Sequence, residues 1–152
     1  MQLDIKEQSL ILEGKKYSRK ELMSLSANAT GDNTSSFLLD LYRFLADWFS
    51  DSPFMTVHTS GSTGTPKVLT VRKEQMMQSA RMTCEFLNLH TGDTALLCMP
   101  LQYIAGKMMV VRALVAGLNL ILRTPSGHPL ADVTVPLRFV AMVPLQVFNT
   151  LQ

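Results

Sequence analysis

The chain has 152 residues, 47% of them hydrophobic, with 14 Lys and Arg against 12 Asp and Glu and a formal net charge of +2. That length supports one sizeable core and does not call for two domains. Charges scattered without a basic stripe argue against nucleic acid as a partner, and no stretch approaches the ~18 apolar residues of a membrane helix.

Residues 1–17 read as an edge hairpin: Leu3 and Ile5, then Leu10, Ile11 and Leu12, then a turn at Glu13, Gly14 and Lys15 that returns to Tyr17. The first seven residues lack the apolar segment of a signal peptide, so a cytoplasmic location is expected. Ser18 and Glu21 have capping-box spacing, which predicts a short helix to about Ser26. A polar loop over 28–33 follows. From an N-cap at Thr34 or Ser35, Phe37, Leu38, Leu41, Leu45, Trp48 and Phe49 recur at helical spacing, with Asp40, Arg43 and Asp47 on the other side. Packing against a sheet is the commoner use of such an aromatic stripe than a ligand box.

Residues 54–57 then read as a strand leading into a turn, and 68–71 as the strand leaving it. Between them, residues 58–70 hold Thr59, Ser60, Gly61, Ser62, Thr63, Gly64, Thr65, Pro66 and Lys67. Gly61 and Gly64 permit φ > 0 and close backbone approach, so that successive N–H groups can converge on anionic oxygens. The hydroxyls add neutral donors and Lys67 a compact positive charge. A polyphosphate fits those parts. The Walker A order fails, because two residues separate Gly64 from Lys67 and a strand, not a helix, follows. On composition alone, a hairpin turn with no ligand stays open, since Ser, Thr and Gly dominate turns for other reasons.

Residues 74–87 predict a helix with Met76, Met77, Ala80, Cys84 and Leu87 inward. Residues 95–99 form a continuous apolar run suited to a strand covered on both faces. A helix over 103–116, Gly117 as its C′ residue and a strand over 118–122 complete a βαβ unit with parallel pairing. Residues 139–143 supply a further buried strand, and Pro144 opens a last helix at N1. Cys84 and Cys98, each in apolar surroundings and without CxxC spacing, read as reduced core thiols. The expected fold class is therefore α/β, a largely parallel sheet covered by helices.

The nine residues 59–67, Thr-Ser-Gly-Ser-Thr-Gly-Thr-Pro-Lys, closely resemble the signature loop of the adenylate-forming (AMP-binding) superfamily, which includes the acyl- and aryl-CoA ligases. The resemblance implies that the chain is part of the N-terminal domain of such an enzyme. It also implies that Thr59, Ser60, Gly61, Ser62, Thr63, Gly64 and Lys67 hold the β- and γ-phosphates of ATP while a carboxylate attacks the α-phosphate. Val68 stands where the family usually has Gly, and Lys73 where a His is frequent.

A second stretch, residues 99–106, resembles the superfamily's Pro-Leu-x-His-x-x-Gly pattern with Tyr103 in place of the His. The resemblance puts Tyr103 beside the acyl pocket and the coenzyme A channel. The plainer reading makes it a helix-start residue whose hydroxyl finds a backbone partner. Lys107 and Arg112, on the same helix, could meet an anionic substrate, though solvated helix charges are the commoner case. Within the superfamily, the His-Thr-Ser-Gly loop together with Tyr-Ile-Ala-Gly-Lys-Met-Met at 103–109 looks like the o-succinylbenzoate–CoA ligases of menaquinone synthesis. The resemblance implies ATP, Mg2+ and coenzyme A as cofactor and co-substrates. It leaves the catalytic residues and the metal ligand beyond Gln152, so that these 152 residues alone are expected to be inactive.

Overall fold

The computed structural model describes residues 1–59, 64, 65 and 67–152. Its element order opens with a hairpin, β1 (Ser9–Leu12) and β2 (Lys15–Ser18), paired antiparallel from Ser9↔Ser18 to Leu12↔Lys15. The turn between them is made by Glu13 and Gly14, both at positive φ. The hairpin is shorter than the sequence suggests. Leu3 lies outside it, and Ile5–Glu7 is a single 3-10 turn capped by the Asp4 carboxylate.

Helix α1 (Arg19–Asn28) begins with the expected reciprocal cap: Ser18 Oγ accepts from Glu21 N–H at 3.1 Å, and Glu21 Oε1 accepts from Ser18 N–H at 3.1 Å. Helix α2 (Ser36–Trp48) takes Ser35, not Thr34, as N-cap. Its stripe is buried as core: Phe37, Leu41, Phe44, Leu45 and Trp48 all pack with Leu10, Leu12, Leu97 and Leu120 of the sheet strands. Each such side chain contributes about 1.5–3 kcal/mol by leaving water. Trp48 has no exposed surface, and its indole N–H is satisfied by Gln8 Oε1 at 2.8 Å. Gln8 Nε2 in turn donates to the Gln2 carbonyl at 3.0 Å.

Strands β3 (Phe54–Thr59) and β4 (Lys67–Arg72) form a separate two-stranded antiparallel sheet. Helix α3 (Lys73–Phe86) follows at once and buries Met76, Met77, Ala80 and Cys84, whereas Leu87, expected inward, is its half-exposed C-cap. Then come β5 (Thr94–Leu97), α4 (Ile104–Ala116), β6 (Asn119–Leu122), the two-residue β7 (Phe139–Val140) and α5 (Pro144–Thr150).

The main sheet has the order β2-β1-β6-β5-β7. All its pairings are parallel except β1 with β2. The β5–α4–β6 crossover ends at Gly117, which takes the left-handed conformation at φ 70 and ψ 37. β5 is buried on both faces, as its unbroken apolar run predicts. Ala95 and Leu97 join the large helical core, and Leu96 packs with Cys98 and Ile121 on the opposite side against Leu130, Val133 and Leu137. The strand expected over 139–143 is only two residues long and half-buried, because among the described residues β7 is an edge strand with one neighbour. Among the described residues no helix is long and apolar enough to cross a membrane.

Candidate functional site

The β3–β4 hairpin carries Thr59 and Lys67 at its far end, positioned by strand alternation. Met55 and Val57 are buried, which seats one face of the hairpin on the core, while Phe54 and Thr56 face outward. Six cross-strand pairs run from Phe54↔Arg72 to Thr59↔Lys67. The last pair sets Thr59 and Lys67 opposite each other at the end of the two strands. Lys67 is exposed and forms no ion pair among the described residues. Gly64 takes φ +84, a conformation L side chains avoid, while an added Cβ there would meet nothing within 4 Å. The requirement for glycine is thus one of backbone and not of space. Ser60, Gly61, Ser62, Thr63 and Pro66 lie outside the described residues.

The second stretch leaves the carboxyl end of β5, where open α/β sheets place their ligand crevices. Leu101 is buried and Tyr103 is the N-cap of α4, in extended conformation and without a side-chain cap bond. Two features hold Tyr103 in place. His58 pairs with it in an isolated parallel β-bridge, which joins the end of β3 to the start of α4. Gly106, one turn later, lets α4 close on the preceding turn: a Cβ there would lie 2.9 Å from the Pro100 carbonyl carbon and 3.2 Å from the Met99 carbonyl oxygen. The Pro-Leu-x-Tyr-x-x-Gly spacing is therefore a packing device as well as a motif.

The bridge brings Thr59 and Tyr103 to one end of the molecule. The uncapped first turn of α4 adjoins them with its partial positive charge, a favourable setting for an anion. The Tyr103 ring is half-buried, and none of the described residues bonds its hydroxyl, so the backbone partner of the plainer reading is not found.

Lys107 and Arg112 are not solvated helix charges. Helix α4 is buried almost all round, so its cations can only lie along neighbouring apolar surface. Lys107 Nζ sits 5.7 Å from the centre of the Phe44 ring, and burial pulls its pKa down against the opposing pull of Asp47 and Asp40. Arg112 lies over Phe139 at 5.8 Å, with Nη1 3.5 Å from Met109 Sδ and a buried Nε that has no acceptor. Lys73 is fully engaged elsewhere: its buried amine donates to the Ser50 carbonyl at 3.0 Å and reaches the Ser50 hydroxyl at 3.3 Å. It ties the start of α3 to the end of α2.

Two supporting contacts escape the sequence reading. His58 is read only as the start of the His-Thr-Ser-Gly loop, and its pairing with Tyr103 gives no signal, because that partner lies far along the chain. Gln146 does carry one, as the third residue of a Pro-initiated helix. Its buried amide donates to the carbonyls of Cys98, at 3.0 Å, and Ser126, at 2.9 Å, and accepts from Val143 N–H at 3.1 Å. It therefore fixes the end of β5, from which the second stretch departs.

Comparison with known proteins places the chain in a family and a fold. A family described as "AMP-binding enzyme" matches residues 3–151. The chain is similar to the crystal structure of an acyl-CoA synthetase (AMP-forming)/AMP-acid ligase II-like protein from Dyadobacter fermentans, at 36% identity and a TM-score of 0.72, over 84% of this chain and 36% of that one. A second likeness is to the N-terminal domain of FACL13 from Mycobacterium tuberculosis, at 20% identity and a TM-score of 0.43, over 54% of this chain and 24% of that one. The chain thus spans little more than a third of the length of the Dyadobacter structure. No curated protein sequence matches it significantly.

Proposed function

The chain belongs to the AMP-binding enzyme family, and from that premise we propose that it is part of an ATP-dependent acid–thiol ligase. In this reading an aromatic carboxylate attacks the α-phosphate of ATP, releasing pyrophosphate, and coenzyme A then displaces AMP from the acyl-adenylate. Thr59, Ser60, Gly61, Ser62, Thr63, Gly64 and Lys67 grip the β- and γ-phosphates, and Tyr103 lines the wall along which acid and thiol arrive. The observation that carries the reading is the His58–Tyr103 bridge, which sets the two motifs side by side although nothing in their own sequences requires it.

The proposed acid is o-succinylbenzoate, a menaquinone precursor, on the strength of His58 and of residues 103–109. Phosphoryl-type chemistry rests on charge positioned around the reacting phosphate. No group of three or more His, Cys, Asp or Glu that could hold a metal occurs among the described residues. The reaction would use Mg2+ together with the nucleotide, and the 152 residues alone are proposed to form no adenylate.

Titration with pyrophosphate and ATP, read by amide resonances, tests the reading. Saturable shifts at Thr59, Gly64, Lys67 and Tyr103, with no pyrophosphate released from ATP and o-succinylbenzoate, are expected. Absence of any nucleotide-dependent shift at those residues would overturn the phosphate-loop assignment, and pyrophosphate release would overturn the expected inactivity.

A further inference from the structure

The opposite end of the same hairpin borders a cleft of about 780 Å3, framed by the chain start, the first residue of α1, the α2–β3 turn and the start of α3. Two guanidinium groups reach it from different elements. Arg19 uses Nη2 to donate to the Phe49 carbonyl at 3.3 Å and lies 5.7 Å from the centre of the Phe49 ring, with its buried Nε–H lacking an acceptor. Arg72 lies over the Phe54 ring at 5.4 Å. Asp4, Asp51 and Glu74 also border the cleft, yet among the described residues neither arginine has a carboxylate within 4.0 Å. Lys73 forms part of the wall and is held to Ser50.

Guanidinium groups that rest on aromatic faces and keep donors free suit a planar carboxylate, which accepts two parallel N–H bonds. Among mostly polar lining residues, Leu3, Ile5, Pro53 and Met77 offer apolar surface to a hydrocarbon body. We propose that this cleft is a second binding site, separate from the phosphate loop, for a small organic carboxylate with an aromatic or branched apolar body, its head group on Arg19 and Arg72. Because Phe54 pairs with Arg72 at the foot of the hairpin whose far end is Thr59↔Lys67, an occupant would brace the element that carries the loop.

The probe is benzoate, added to isotope-labelled protein and followed through arginine side-chain N–H and backbone amide resonances. Saturable shifts are expected at Arg19, Arg72 and residues 49–53, with affinity roughly tenfold weaker in Arg19→Gln and in Arg72→Gln. Acetate, which lacks the apolar body, should also bind roughly tenfold more weakly. Arg72 is exposed, so its variant should keep the fold even if Arg19→Gln loosens α1. Three results overturn the proposal: shifts that do not saturate, shifts confined to residues 58–67 and Tyr103, or unchanged affinity in a folded Arg72→Gln protein.

Discussion

Gly106 and Pro100 are packed so closely that a methyl group on the glycine would overlap the proline carbonyl. Backbone sits on both sides of this contact, and neither side can rotate out of the way. Gly106→Ala should therefore cost about 1–3 kcal/mol through overpacking, lowering the melting temperature by several degrees. The same variant should displace Tyr103, which caps the helix one turn earlier, and so weaken nucleotide-induced shifts at that residue. Thermal denaturation and resonance titration of one sample check both effects.

Lys67→Ala removes an exposed charge at the neck of the loop, opposite Thr59. A charge-assisted contact to phosphate should be lost, weakening pyrophosphate binding roughly tenfold, or about 1.4 kcal/mol. Stability should stay within about 0.5 kcal/mol, because surface substitutions seldom cost more. A calorimetric titration beside a melting curve separates the two.

Gln8 links the chain start to the Trp48 indole. Gln8→Leu leaves a buried N–H without an acceptor, which should cost about 1–3 kcal/mol and shift the denaturant midpoint downward. Trp48, the single tryptophan of the chain, makes its own fluorescence the natural probe of that transition.

Cys98 is wholly buried, and burial pushes its thiol up from 9.0 to about 11. The unfolded thiol ionises first as pH rises, so this group's contribution to stability is complete below pH 9.0 and is lost as pH climbs through about 11. Buried Cys84 shifts in the same direction, again mainly through desolvation. Thiol-reactive dye at neutral pH should label neither cysteine until the protein unfolds. Labelling on the timescale of a free thiol would contradict the buried placement.

Much of the architecture was legible in the chain itself, wherever a local pattern and its cause coincide. The Ser18–Glu21 cap, the amphipathic stripe of α2, the unbroken apolar run of β5, Gly117 after α4 and Pro144 at the start of α5 each act over one or two turns of chain. The Thr-Ser-Gly-Ser-Thr-Gly-Thr-Pro-Lys order is likewise a local pattern, and the proposed phosphate contacts rest on it because such a loop would draw its donors from consecutive residues. Other features depend on residues that meet only after the chain has packed. Lys107 and Arg112 looked like surface cations until α4 was found buried nearly all round, and Lys73 until its amine met the Ser50 carbonyl. The strand expected at 139–143 shrank to two residues because apolar periodicity records burial, whereas strand length is decided by available partners, and among the described residues β7 pairs with β5 alone. The pairing of His58 with Tyr103 is the strongest case. It is a backbone contact between distant segments, carried by no side-chain pattern, and only the seating of Met55 and Val57 on the core brings the two motifs to one end of the fold.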